Sequence, residues 1–215
     1  MMVATPAAQR TPGWMAERCG KVTASRLGDL VARTKTGYSA SRASYMTQLL
    51  AERLSGSAAP TPLSGPMRWG VEYEAEAKAA YSFVLDFDVA ECGFVDHPTI
   101  GLAGASPDGL IGEEGLVEIK CPTSVTHVET WGEGRAPAKH LPQIQWQLAC
   151  TGRLWCDFVS YDPRMPPNLR LFIVRVMRDP EEIARLEEEV VRFLAELDQK
   201  LLALTGAPDL LEAAA

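Results

Sequence analysis

Between Glu91 and Lys120, apolar and polar positions alternate, and turn residues cut the alternation into short pieces. Period two is the signature of strands, so this segment predicts a meander at the centre of a sheet. The clearest piece is Leu116-Val117-Glu118-Ile119-Lys120. Val117 and Ile119 face one way, into a core, while Glu118 and Lys120 share the other face. Trp155–Tyr161 and Leu171–Met177 read as two more strands. Thr23 or Ser25 can cap a short helix through Ala32. Further helices are expected over about Ala43–Leu54, from near Trp69 through Glu74 toward Tyr81, and over Ser124–Glu129. Pro142 suits the first turn of a helix reaching about Cys150. Asp179-Pro180-Glu181-Glu182 places acids at the positive end of a last helix, which runs to about Leu204. Residues 33–42 read as a basic mobile loop and 55–66, rich in Gly, Ser and Pro, as an internal connection. Residues 1–12 read as a flexible N-terminus and 206–215 as a flexible tail. What lies between, 13–205, is expected to be one α/β domain: a central mixed β-sheet flanked by helices, with a long C-terminal helix.

Composition supports that expectation. The chain has 215 residues, 47% of them hydrophobic, enough for one large core. It has no 18-residue apolar run, so no membrane span is expected. The N-terminus lacks a basic stretch followed by an apolar one, which argues against secretion and for the cytoplasm. Five cysteines form no CxxC pair, and the odd count favours reduced thiols over a disulfide scaffold or a structural zinc site. The net charge of −7 argues against a generic DNA coat, but it is unevenly distributed. Residues 1–60 carry eight Lys/Arg against three Asp/Glu, whereas residues 179–215 carry three against ten. An acidic chain can still present a positive surface to phosphate. Trp14, Trp69, Trp131, Trp146 and Trp155 are core candidates. His97, His127 and His140 form no triad with a serine or cysteine.

The chemistry concentrates in Ser106-Pro107-Asp108-Gly109-Leu110 and the strand that follows. Asp108, Glu118 and Lys120 deliver two carboxylates and one ammonium within 13 residues. Like-facing charges on an otherwise apolar strand are costly unless something lies between them, and a divalent cation and a phosphate are the natural occupants. Asp108 and Glu118 are hard oxygen ligands, with the Ile119 backbone carbonyl as a further one. Lys120 is placed to orient or help deprotonate a water and to stabilise negative charge. Taken singly, Asp108 is an ordinary Pro-Asp-Gly turn and Glu118–Lys120 an exposed ion pair. Glu74 follows Gly70 by four residues, so both share a helix face, and the small Gly70 lets that helix approach a neighbour. Glu72 and Glu76 read as solvated, and Gln145 and Gln147 as polar helix surface.

Asp108, nine residues, then Glu118-Ile119-Lys120 resembles the PD-(D/E)xK nuclease core. The wider chain resembles the lambda-exonuclease and YqaJ-type viral recombinase family. The matching segments are Gly13-Trp14, Arg18 through Ser25, Trp69-Gly70 through Glu74, Ala105 through Gly109, Glu118 through Pro122, Gln143-Ile144-Gln145 and Tyr161 through Met165. The resemblance implies a restriction-endonuclease-like core. It implies that Glu74 is a helical carboxylate helping to hold metal, that Gln143 is an active-site glutamine, and that Arg18 and Ser25 bind a terminal 5′-phosphate. A guanidinium fork and a hydroxyl at a helix start suit phosphate on physical grounds too. Lys21, Lys35 and Arg42 are candidate contacts to the duplex backbone. Arg164 matches a family segment that serves folding or subunit contact, and no catalytic role is assigned to it.

The implied activity is Mg²⁺-dependent 5′-to-3′ exonuclease action on double-stranded DNA. Mn²⁺ is expected as a substitute, with two ions present when DNA is bound. The products would be 5′-mononucleotides and a 3′ single strand for annealing recombination. The implied partners are a 5′-phosphorylated duplex, two further copies of the chain in a trimeric ring, and a phage-type single-strand annealing protein. A structure- or sequence-specific DNA endonuclease on the same core, or a non-catalytic DNA-binding assembly protein, are the rivals.

Overall fold

The computed structural model describes residues 7–58 and 64–206. Its helices are α1 (Pro12–Arg18), α2 (Leu27–Val31), α3 (Ala40–Ser55), α4 (Gly65–Leu85), α5 (Ser124–Glu133), α6 (Leu141–Thr151) and α7 (Pro180–Thr205). Its strands are β1 (Val22–Thr23), β2 (Arg33–Thr34), β3 (Gly37–Tyr38), β4 (Val89–Ala90), β5 (Val95–Asp96), β6 (Ala103–Ala105), β7 (Gly109–Ile111), β8 (Gly115–Lys120), β9 (Trp155–Tyr161) and β10 (Leu171–Met177).

The main sheet has five strands in the order β10-β9-β8-β7-β4. It is mixed: β8 and β9 run parallel, with Glu118 opposite Phe158 and Lys120 opposite Ser160, and the other pairs are antiparallel. A parallel neighbour needs a crossover, and α5 and α6 supply it. The expected single meander over 91–120 is in fact divided. β5 and β6 leave the main sheet and join β1 in a separate three-stranded one. The strands there are only two or three residues long, and Gly104 explains part of the geometry: a Cβ at that position would lie 2.4 Å from the Phe94 ring.

Alternation along β8 separates two cores. Val117 and Ile119 pack with Ala77 and Tyr81 of α4 and with Val159 and Tyr161 of β9. Leu116, on the other face, packs with Ile144, Leu148 and Ala149 of α6, and with Cys156, Phe158 and Ile183. A third core joins α2, α3 and α7 to the far side of α6 through Leu27, Leu49, Trp146, Leu186, Val190, Phe193 and Leu197. The α7 spacing of three and four residues gives a continuous apolar stripe. Asp179 caps this helix, its side chain accepting from the backbone N–H of Glu181 and Glu182 at 3.0 and 3.1 Å.

Several expectations need correction. Residues 33–42 are not a mobile loop: β2 and β3 form a hairpin and α3 begins at Ala40. Neither Thr23 nor Ser25 caps through its side chain; a 3-10 turn over Ala24–Arg26 leads into α2. Residues 8–11, expected to be a flexible lead-in, carry hydrogen bonds to Cys92 and Pro107 through Gln9. Of the 55–66 connection, residues 59–63 lie outside the described residues, and 65–66 already belong to α4. The tail from 207 also lies outside them. Only Trp146 among the five tryptophans is fully buried. Gly70 does not serve close packing, since a Cβ there would meet nothing within 4 Å.

Candidate active site

Asp108 closes the turn that enters β7. Its Oδ2 accepts a 2.7 Å hydrogen bond from the Ile119 backbone N–H on the adjacent strand, which fixes the carboxylate beside Glu118. The close fit of β7 depends on Gly109, where a Cβ would lie 2.1 Å from Val89 Cγ1. Burial and the neighbouring Glu118 carboxylate push the Asp108 carboxyl well above the usual carboxylate range.

Glu118 is 1% exposed, and both its carboxylate oxygens accept hydrogen bonds. Lys120 Nζ and Gln143 Nε2 donate to Oε1, the latter at 2.6 Å. Gln147 Nε2 donates to Oε2 at 2.6 Å. Gln143 and Gln147 are four residues apart and therefore project from one face of α6. Burial opposes the charge on Lys120, but Glu118 and Asp108 outweigh it and raise its pKa above the usual lysine value.

Glu74 completes the carboxylates. It pairs with Arg10, which reaches it from the N-terminal segment, and its charge acts on both Asp108 and Lys120. The three expected ligands are thus neighbours, yet among the described residues no three acidic, His or Cys side chains are gathered into a ready-made cation cage. The reason is local. Asp108 leans on Ile119 N–H, Glu118 is held by Lys120 and two amides, and Glu74 is drawn to Arg10. Burial first, and then the Glu118 and Glu74 carboxylates, raise Asp108, against the pull of Lys120 and the Ile119 N–H. A hard divalent cation fits the donor set.

The expected phosphate residues are only partly assembled. Arg18 stacks on Trp14, its Cζ 3.8 Å from the ring centroid, and the Glu52 carboxylate acts on it electrostatically. Burial depresses its pKa. Trp14 Nε1 in turn donates to Ser106 Oγ at 2.9 Å, so Arg18, Trp14 and Ser106 form one group beside the Asp108 turn. Ser25 is exposed and 3.5 Å from Thr23 Oγ1, and does not touch Arg18. Lys21 pairs with Asp96 at 2.5 Å. Lys35 is exposed at the turn between β2 and β3. Arg42 is not a surface DNA contact: it is 6% exposed, forms a two-pronged pair with Glu196 at 2.7 and 2.9 Å, and stacks on Tyr38.

Sequence reasoning missed four participants. Gln147 was taken for helix surface but is fully buried and bonded to Glu118; its signal was the four-residue spacing from Gln143. Gln145 is buried as well, and serves structure: its amide donates to Met177 O and accepts from Asp179 N, both at 2.9 Å. Arg10 and Trp14 reach the site from far along the chain, while Ser106 sits two residues before Asp108 and receives the Trp14 indole N–H. Glu76 is exposed, as expected, and also accepts from Tyr161 Oη at 2.6 Å. Arg164 grips the buried Asp162 and stacks on Trp69, a folding contact at the edge of the site.

Fold and site together define a mixed α/β protein of the kind seen in exonucleases. An alkaline exonuclease from Laribacter hongkongensis is 47% identical, with a TM-score of 0.85 over 91% of this chain and 96% of that one. The same exonuclease in complex with dAMP gives 47% and 0.84 over 90% and 96%. A phage-related exonuclease from Haemophilus somnus shares the fold at 15% identity, with a TM-score of 0.66 over 86% and 96%. No curated protein matches the chain. The YqaJ-like viral recombinase domain matches residues 13–154, and the chain belongs to that family.

Proposed function

We propose that this chain is a metal-dependent DNA exonuclease that degrades one strand of a duplex from a 5′-phosphorylated end. The observation that carries this reading is the Glu118 carboxylate, buried and clasped by Lys120, Gln143 and Gln147 next to a proton-avid Asp108. The family and the 47%-identical exonuclease support it.

Asp108, Glu118, the Ile119 carbonyl and Glu74 would hold Mg²⁺, or Mn²⁺ in its place, with a second ion when DNA is bound. A bound divalent cation neutralises phosphoryl charge and makes water more acidic. The side chains do the positioning. Gln143 and Gln147 lock both oxygens of Glu118, so its lone pairs keep one direction. Lys120 stays an ammonium, with which it orients the attacking water and balances charge on the phosphoryl group. Arg18, flattened on Trp14, offers its guanidinium to the terminal 5′-phosphate. The Ser106 hydroxyl lies beside it, and Ser25 adds a hydroxyl from the start of the 3-10 turn. Reaction proceeds 5′ to 3′, releases 5′-mononucleotides and leaves a 3′ single strand. Three copies closed into a ring around the duplex would keep the enzyme on its track. A single-strand annealing protein would receive the product.

The test is a Mg²⁺ titration of chelator-treated protein with three substrates: 5′-phosphorylated linear duplex, 5′-hydroxyl duplex and covalently closed circles. Mononucleotides from the first, more slowly from the second and none from the third are expected. Cut circles would replace the reading with an endonuclease. Binding without turnover in Mg²⁺ and Mn²⁺ would leave a DNA-binding protein.

A further inference from the structure

Residues 9 and 10 tie the N-terminal segment to the Asp108 turn and to α4. Gln9 Nε2 donates to Pro107 O at 2.7 Å, one residue before Asp108, and to Cys92 O at 2.9 Å. Arg10 then places its guanidinium on Glu74 of α4. Arg10 holds this pose with φ +67, a left-handed conformation that is uncommon outside glycine and is kept only where contacts enforce it. Glu74 is largely enclosed, its side chain 23% exposed, whereas Arg10 is 48% exposed. Arg10 and Glu74 also line one end of a cavity of about 460 Å³ that continues along α4 past Lys78 and Ser82.

We propose that Arg10 is a positioning residue, an internal counter-ion that holds Glu74 in place before metal arrives and competes with metal for it. This rests on the metal-dependent reading given above. Asp108 and Glu118 are fixed by neutral donors and by Lys120, none of which a cation need displace entirely. Glu74 is different: it is paired with a long, flexible cationic side chain, and a divalent ion cannot share the carboxylate with a guanidinium without Coulombic repulsion. The competition is mild because the guanidinium is half in water, where such pairs are worth little. Arg10 is thus strong enough to keep three neighbouring carboxylates folded together and weak enough to yield. Once displaced, it stays tethered through Gln9 at the rim of the cavity.

The test is calorimetric titration of Mg²⁺, without DNA, into the wild type, Arg10→Gln, Arg10→Lys, Glu74→Gln and the Arg10→Gln/Glu74→Gln double variant. Arg10→Gln should bind Mg²⁺ about two- to fivefold more tightly than the wild type, the scale set by a half-exposed ion pair. Arg10→Lys should stay near the wild type, and the gain should vanish in the Glu74→Gln background. Thermal melts in chelator confirm that each variant is folded. Equal or weaker Mg²⁺ binding by Arg10→Gln, with the wild type binding normally, would overturn the role of Arg10 alone. Absence of Mg²⁺ binding by the wild type would overturn the metal reading and this role together.

Discussion

Two regions of the molecule concentrate charge, and they use it in opposite ways. Against α7, the basic N-terminal third is neutralised pair by pair: Arg33 with Glu189, Arg42 with Glu196, Arg53 with Asp198. The positive and negative ends of the sequence are therefore packed on each other rather than divided into a basic funnel and an acidic rim. Around β8 the balance is left unfinished. Asp108, Glu118 and Glu74 face Lys120 and Arg10, and two glutamine amides fill the remaining positions on Glu118. Arg18 lies flat on the Trp14 indole at the start of the chain. Charge that is completed by its neighbours holds the fold; charge left incomplete is available to a ligand.

The sharpest way to break that contrast is to remove charge on each side of it. Asp108→Asn should reduce exonuclease turnover on the order of 10³-fold, the scale of losing a charge-stabilising group at a reaction centre, while leaving duplex affinity largely intact. Single-turnover digestion alongside a binding assay measures both; a loss below tenfold would move Asp108 out of the centre. Arg18→Ala should then lower the preference for 5′-phosphate over 5′-hydroxyl ends ten- to a hundredfold, about 1.5–3 kcal/mol for a charged hydrogen bond. Arg42→Ala should do the reverse. It leaves end preference unchanged and lowers stability by about 1–2 kcal/mol, between the exposed and buried limits for an ion pair, because Glu196 is 38% exposed. Urea denaturation reads it.

How far these differences were legible follows from their range along the chain. The β9 and β10 boundaries and the Asp179 cap are local patterns, and the expectation matched them. Asp108, Glu118, Lys120 and Gln143 were placed by spacing and resemblance, and the structure brings them together. Arg42 and Arg18 look alike as letters; what separates them is Glu196, 154 residues away, and Trp14, four away in the same helix. The division of the 91–120 meander into two sheets was likewise hidden, since β6 pairs with β1 from the start of the chain. Gln147 shows the other limit: an amide in an amphipathic helix reads as surface until a buried carboxylate is found opposite it.

Gln147 and Gln145 sharpen the comparison within one helix. Gln147→Leu leaves Glu118 Oε2 without its donor and should cost about 1–3 kcal/mol in stability together with a clear loss of turnover. Gln145→Leu breaks the hold on Met177 O and Asp179 N and should cost similar stability with turnover of the folded fraction unchanged. Equal effects on turnover would mean that the amide pair acts only through packing of α6.

The smallest effect is also the one whose sign is least intuitive: Asp108→Asn, which abolishes turnover, should stabilise the metal-free protein. Burial and Glu118 raise the Asp108 carboxyl well above its unfolded value, even with Lys120 and the Ile119 N–H pulling it down. A carboxyl whose folded pKa is raised contributes stability that is complete below the unfolded value of about 3.9 and is lost as pH rises through the folded value. Lys120, also raised, remains an ammonium throughout that window and does not offset the trend. In chelator, the melting temperature of the wild type should therefore fall relative to Asp108→Asn as pH climbs above the ordinary carboxylate range. The final gap should be a few degrees, since 1 kcal/mol moves a chain of this length by about 2–4 °C. Saturating Mg²⁺ should reverse the order, because only the wild type gains the ligand's contribution, about 2.7 kcal/mol at a hundredfold excess over Kd. Melting curves across pH, with and without Mg²⁺, decide it. If Asp108→Asn is the less stable protein in chelator at neutral pH, the Asp108 charge is already balanced within the fold, and the unfinished side of the comparison is no longer unfinished.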